Sequence, residues 1–221
     1  MLLVYPVIVA RWVLSGFSAL LAMTLSAQSP PALLQIVQER LNRDAEQAYG
    51  KIEEELAHLC ARMSCPNPYL ALASVTLPRE VWWLNTYASR GDVDRVAQGY
   101  ARNTALITAM RELAQRKNNL TGKPVDMMTI FRRDLSDASP WQIGEMRFVV
   151  ILEMHAPAKA SGAVFEVPDG RGFVFAAASN NTEVRRLVSA LGPGSRVFEV
   201  RPPWSLPDAK WVLRNPELWN H

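Results

Sequence analysis

The stretch EVWWLNTYAS runs from Glu80 to Ser89. It is followed by a long segment of helical periodicity and then by PVDMMTIFRRDLS, Pro124 to Ser136. Trp82, Trp83, Thr86 and Tyr87 are aromatic or β-branched residues, the types that suit a pleated, half-buried surface. Pro78 and Gly91 bound the run with turn residues. Alternation sorts it into two faces. Val81, Trp83, Asn85 and Tyr87 make one, and Trp82, Leu84, Thr86 and Ala88 the other. Asp92 is expected to cap the helix that follows. Its apolar residues Val93, Val96, Ala97, Tyr100, Thr104, Ile107, Met110 and Ala114 recur at intervals of one helical stripe. Arg111, Arg116 and Lys117 suit the negative helix end, and Asn118, Asn119 and Gly122 are stop signals. Pro124 opens a strand over Val125 to Arg132. The reading is strand, one long helix, strand.

Upstream, Leu33 to Leu41 alternates as a strand, and Asn42 or Asp44 is placed to cap a helix. That helix carries the stripe Ala45, Ala48, Tyr49, Ile52, Leu56, Leu59 and Met63. Glu53, Glu54 and Glu55 lie mostly off the stripe and read as a solvated face. Pro66 and Pro68 end the helix, and Leu70 to Leu77 is a second strand. Residues 32–136 therefore read β-α-β-β-α-β, a ferredoxin-like unit.

Downstream, 137–146 is a linker and 147–201 a second unit. Its expected strands are Arg147 to Met154, Ala163 to Val167, Gly172 to Ala178 and Val197 to Arg201. A turn at Pro168-Asp169-Gly170 joins the second and third, and Thr182 is expected to cap a short helix before the last. GFVFAAAS aligns with VWWLNTYAS on Ser179 and Ser89, pairing Trp83 with Phe173, Asn85 with Phe175 and Tyr87 with Ala177. Between His155 and Ala163 there is no room for a first helix, since a parallel crossover needs a dozen residues or more. The second unit is thus degenerate. The tail 202–221 carries Trp204, Trp211 and Trp219, which read as clamps holding the terminus on the domain.

Three segments, LLQIVQERLNRDAEQAY, EVWWLNTYAS and GYARNTALITAMREL, give the chain a pattern that resembles the dimeric α+β barrel superfamily. The likeness is to its NIPSNAP-like and antibiotic-biosynthesis-monooxygenase-like members. The likeness covers about half of the chain, and together with the internal repeat it gives an expected α+β fold of two ferredoxin-like units in tandem, the second degenerate. If Leu84, Thr86 and Ala88 pack under the helix, then Trp83, Asn85, Tyr87, Phe173 and Phe175 face the barrel interior. There they either fill the core or line a small-molecule pocket. In antibiotic-biosynthesis-monooxygenase-like proteins an aromatic substrate sits in the barrel beside Asn, Trp and Tyr groups, and here Asn85 and Tyr87 would be the polar members. Some superfamily members bind haem through a histidine, but no motif identifies His155 with that ligand. The aromatic faces must be covered by the second unit or by a second chain, so a homodimer is an open alternative. The repeat favours closure within the chain.

The 221 residues are 49% hydrophobic and 20% charged, with a net charge of +3, an ordinary globular composition. No basic stripe interleaved with stacking aromatics is present, so nucleic acid is not an expected partner. Residues 1–27 contain no acid and one basic residue, Arg11, before an apolar run ending in Leu25-Ser26-Ala27. That is the layout of a cleaved export signal. A membrane anchor, or a start at Met23, are the other readings. Gln28 to Pro31 is a short linker. In an exported chain Cys60 and Cys65 are the natural disulfide. His58 and His221 read as solvated or terminal, and His155, at a strand end, is the one histidine placed to enter a pocket. No nucleophile elbow, Walker loop, zinc-helix or dinucleotide motif occurs, and neither cofactor nor metal is expected. The expected function is an exported barrel that binds a small apolar molecule or a protein partner without catalysis. The alternative is a cofactor-independent monooxygenase or isomerase acting on an aromatic molecule.

Overall fold

A computed structural model describes residues 28–137 and 141–220. The expected leader at 1–27, part of the inter-unit linker and His221 lie outside the described residues. The first unit consists of β1 (Leu33–Arg40), α1 (Glu46–Met63), β2 (Tyr69–Ser74), β3 (Glu80–Tyr87), α2 (Arg90–Arg102), α3 (Thr104–Lys117) and β4 (Val125–Phe131). The second consists of β5 (Phe148–Met154), β6 (Ala163–Glu166), β7 (Gly172–Ala178), α4 (Asn181–Leu191) and β8 (Arg196–Val200). The tail is a 3-10 turn at Pro202–Trp204, then α5 (Ala209–Arg214) and α6 (Pro216–Trp219).

The strands close into one antiparallel barrel in the order β1-β3-β2-β8-β5-β7-β6-β4, with β4 returning to β1. Each unit contributes the same internal order, β4-β1-β3-β2 and β8-β5-β7-β6, which is the ferredoxin-like arrangement twice over. The units meet through β2 with β8 and through β4 with β6. Each unit thereby covers the other's free edges, and among the described residues the closed strand order leaves no edge strand as a template for aggregation.

The missing helix of the second unit follows from the register. Met154 at the end of β5 lies opposite Gly172, and Ala163 at the start of β6 lies opposite Phe175, three rungs along β7. The chain must therefore return about 10 Å along the strands and about 10 Å across them. The residues from 155 to 162, extended, reach more than about 20 Å, so no crossover helix is needed. The link lies flat on the sheet. A Cβ on Gly172 would meet Pro157 at 3.2 Å, and one on Gly162 (φ +137°) would strike the Phe175 carbonyl oxygen at 2.7 Å. Only α4 backs this unit, with Val184 and Leu187 packed on Val150, Ala176 and Ala178.

Local chemistry revises several expected boundaries. The predicted single long helix is two, broken at Asn103. Its backbone leaves the helical region, and its side chain accepts from the Leu106 N–H to start α3. Ser89, not Asp92, caps α2, while Asp92 sits in the first turn and accepts from the Ala88 N–H. Asn180, not Thr182, caps α4, accepting from the amides of Thr182 and Glu183. Neither Asn42 nor Asp44 caps α1, which begins after Ala45 without a side-chain cap. Asn180→Ala should therefore lower stability by about 1 kcal/mol, the usual cost of losing an N-cap acceptor. Thermal unfolding of the variant measures it, and an unchanged midpoint would contradict the assignment.

The tail tryptophans do clamp the terminus. Trp204 packs edge-on against Tyr49 at 5.8 Å and lies so close to α1 that a Cβ on Gly50 would meet its ring at 2.8 Å. Trp211 stacks on Trp219 at 5.9 Å. Among the described residues no helix is long and apolar enough to cross a membrane.

Candidate functional site

The five sequence-predicted pocket residues do not share one face. Phe173 and Phe175 point into the barrel, as expected, and are almost wholly buried with Phe165 and Phe198. Trp83, Asn85 and Tyr87 do not join them. The residues of β3 that enter the barrel are Trp82 and Leu84. Trp83 lies under the helices with Tyr49, Cys60 and Trp204, and Tyr87 packs with Leu33 and Val96 of α2. Asn85 is half-buried, its oxygen 3.5 Å from the Asn67 amide nitrogen. The Tyr87 hydroxyl donates to Gln35 at 3.2 Å, and burial pushes its pKa up, with Asp126 adding to the effect. The reversal has a simple origin. Alignment of the repeat on Ser89 and Ser179 is one residue out of step. The two helix caps are Ser89 and Asn180, and matching them pairs Trp82 with Phe173 and Leu84 with Phe175. In a strand a shift of one residue exchanges the faces. Trp82 and Phe173 do touch, edge to face at 5.7 Å.

The barrel interior is packed. The Trp82 ring also lies 5.0 Å from Phe198, and Phe165 meets Phe175 edge-on at 5.7 Å. Residues outside the strands can reach this core only through a barrel end, and Trp141, Ile143 and Trp211 do so. The other end is closed by charge. Arg196 sits 4.7 Å above the Trp82 ring and pairs with Glu80 at 2.5 Å and Glu153 at 3.7 Å, and Glu153 pairs in turn with Arg171 at 3.1 Å. The aromatic set is a filled core, one of the two arrangements that the sequence leaves open.

Glu53, which the sequence reading assigned to a solvated face, is instead buried in a cluster between β1, α1 and α3. Lys117 donates to Glu39 at 2.9 Å and to Glu53 at 2.7 Å. The Tyr49 hydroxyl donates to Glu39 in a short hydrogen bond, and the Trp83 indole N–H points at the same carboxylate from 3.4 Å. Glu53 is fully buried and one of its oxygens has no protein partner. Burial pushes the Glu53 carboxyl above its ordinary range, and the charge of Lys117 only partly opposes this. Burial also raises the Tyr49 hydroxyl, helped by Glu53 and Glu39. For Lys117 burial pulls the other way, but the two carboxylates outweigh it and the ammonium is held charged. The sequence signal was the position of Glu53 four residues after Tyr49, which puts both on one helix face. The close approach of Trp204 at Gly50 turns that face, rather than Ala48 and Leu56, toward the sheet.

The remaining recess of interest lies on the barrel rim beside Trp141. It holds about 240 Å³ and is lined by Asp137, Trp141, Ala163, Phe175, Ala177 and Arg186 of α4, among others. Cys60 and Cys65 are joined in a disulfide with Cα atoms 4.7 Å apart, tying the end of α1 to its following turn. His58 is exposed, and His155 is exposed in a bend after β5, so it does not enter a pocket. Among the described residues no three His, Cys, Asp or Glu side chains gather as a metal site.

No family model matches the sequence, and no curated protein matches it either. Solved structures do. A candidate monooxygenase from Fusobacterium nucleatum superposes with a TM-score of 0.50 at 9% identity, over 80% of this chain and 93% of that one. A candidate monooxygenase from Lactobacillus acidophilus gives 0.47 at 7% identity, over 76% and 94% of the two chains. A protein assigned as a chlorite dismutase gives 0.46 at 9% identity, over 78% and 95%. Identities this low speak to architecture. With its eight-stranded closure and twice-repeated strand order, the chain has the dimeric α+β barrel fold, built from two ferredoxin-like units of a single polypeptide.

Proposed function

We propose that this chain is an exported, non-catalytic barrel protein that binds a small apolar molecule at the barrel rim. The observation that carries the reading is the packed interior. Trp82, Phe165, Phe173, Phe175 and Phe198 occupy the space in which an aromatic substrate would sit. Asn85 and Tyr87, the polar groups that an oxygenase or isomerase would aim at such a substrate, lie on the helix side of β3. The rim recess beside Trp141 holds about 240 Å³ and is lined by both polar and apolar side chains, Arg186, Asp137, Phe175 and Leu187 among them. Export rests on the acid-free apolar leader and its small-residue terminus.

The monooxygenase reading rests on the resemblance to antibiotic-biosynthesis-monooxygenase-like proteins and on the shared fold of the Fusobacterium protein, and fold does not transfer activity. The test uses protein collected from the exported fraction, with its N-terminus read by mass spectrometry. We expect a chain starting near Gln28. Aerobic incubation with anthrone-type and hydroquinone-type compounds should consume oxygen at the uncatalysed rate. NMR titration with small apolar molecules should move signals of rim residues and leave those of Phe173 and Phe198 in place. Oxygen uptake above background, or shifts centred on Phe173, would reverse the assignment.

A further inference from the structure

The helix α3 is attached differently from its neighbour α1. Among the described residues, α1 buries seven of its 18 and α3 one of its 14, Leu106. An apolar face thus fixes α1 to the sheet, and polar contacts supply most of the hold on α3. At its start the Asn103 amide donates to the Met63 carbonyl at 3.4 Å. Near its end Arg116 makes a forked pair with Glu55 of α1, at 2.5 and 3.0 Å, with both side chains about half exposed. A pair so exposed contributes little. Lys117 reaches further in, to Glu53 of α1 at 2.7 Å and Glu39 of β1 at 2.9 Å. Its ammonium also lies 5.2 Å from the centre of the Tyr49 ring and 5.7 Å from that of Trp83.

The helix has a joint at each end. Asn103 leaves the helical region at φ −105° and ψ 76°. Beyond Lys117 the chain turns through Asn118 and Asn119 and is fixed again beside β1. There the Leu120 carbonyl accepts from the Asn42 N–H at 2.9 Å, and the Gly122 N–H donates to the Arg40 carbonyl at 2.9 Å. Segments that open locally are those with few buried apolar contacts. A buried ion pair also releases more readily than an apolar face of the same size. On separation the ammonium and carboxylates regain hydration, which offsets much of the attraction lost. We infer that α3 is a strap, latched by Lys117 on Glu39 and Glu53, that swings off α1 as a unit while the barrel stays closed. Opening uncovers the Tyr49 and Trp83 edge of the seam between α1 and β1, so the strap governs the access of water to the buried carboxylates.

Native-state hydrogen exchange, followed amide by amide by NMR, tests this on the folded protein. The α3 amides should exchange about a hundredfold or more faster than those of α1, although the two helices lie side by side. Urea held below the unfolding transition should speed the β3 and β5 amides strongly and the α3 amides weakly, because opening a strap exposes less surface than unfolding the chain. Lys117→Met should speed α3 exchange by about a hundredfold or more, since the two carboxylates lose their counter-charge in the closed form. Arg116→Gln, on the exposed pair one residue earlier, should speed it by no more than about fivefold. If α3 exchanges as slowly as the strands and with their urea dependence, it opens only when the whole protein unfolds and the strap falls. These measurements on the unaltered chain decide that point even where Lys117→Met does not fold. If α3 opens locally but Lys117→Met changes it no more than Arg116→Gln does, the latch assignment falls.

Discussion

Trp82→Ala is expected to lower stability by about 3–5 kcal/mol, the range for removing a large aromatic from a packed core. The ring is fully buried among Phe173, Phe198 and the Arg196 guanidinium, and its N–H donates to Glu80 at 3.1 Å. Truncation thus opens a void inside the barrel and strips Arg196 of a partner at the barrel end. Urea denaturation measures the loss, read as a shift in midpoint at constant slope. The void is apolar on most sides, so added indole should recover part of the loss by binding the folded state alone. Trp83→Ala, made in parallel, should not respond to indole in the barrel, because its ring lies on the helix side. A loss below about 1 kcal/mol for Trp82→Ala would mean that the barrel is not the core.

Lys117→Met is the second change of this size. It leaves Glu39 and Glu53 buried together without a counter-charge, and breaking a buried pair in this way costs about 3–5 kcal/mol. Glu53→Gln should behave quite differently. It leaves Lys117 and Glu39 as a neutral pair and relieves a fully buried carboxylate, so stability near neutral pH should stay within about 1 kcal/mol or rise. The pH dependence has a definite sign. The folded-state pKa of Glu53 is raised, chiefly by burial, so the folded state holds a proton that the unfolded chain releases above about 4.5. That contribution is present below this value and is lost as pH rises through the folded pKa. The pKa of Lys117 is also raised against its ordinary 10.5. Its contribution is complete below 10.5 and is lost as pH rises through the folded value. Stability from the cluster should therefore fall in two steps on going to alkali, and Glu53→Gln should abolish only the first. Denaturation midpoints across the pH range would show it. A Glu53→Gln protein that retains the lower step would transfer that proton to another group.

Periodicity carried much of the architecture. The alternation of EVWWLNTYAS and the DG turn at Asp169 each report a local preference that the structure keeps, whereas the stripe of the predicted long helix is interrupted at Asn103 and its Ala97, Thr104 and Ala114 are exposed. The β-α-β-β-α-β succession of the first unit was legible in the sequence, and the short link after His155 correctly denied the second unit its first helix. What failed was phase. Which face of β3 enters the barrel depends on a single residue of register, and Trp82 and Trp83 are chemically identical, so hydrophobicity could not choose between them. The caps could have chosen, since Ser89 and Asn180 both precede a helix with an acid in its first turn. Glu53 was misplaced for a different reason. Its burial is decided by Lys117, sixty-four positions away, and by the tail residue Trp204, and no local pattern records partners at that distance. The rim recess likewise draws on β6, β7, α4 and the inter-unit segment, which only the closed barrel brings together.

Closure of the barrel by two unlike halves of one chain has a consequence for how the protein can vary. In a barrel made by two identical chains, every substitution appears twice, at positions related by the two-fold axis. A helix deleted from one face would be deleted from both, and a ring enlarged on one side would collide with its own copy. Here each position occurs once. Trp82 can stand opposite the smaller Phe173, and the segment from 155 to 162 can replace a helix while α1, the equivalent helix of the first unit, is retained. The same asymmetry gives the rim recess a single version, with Arg186 on one half and no equivalent demanded of the other. Symmetry is thus exchanged for independence, and the two halves are free to divide the work, one holding the buried charges and the other the recess.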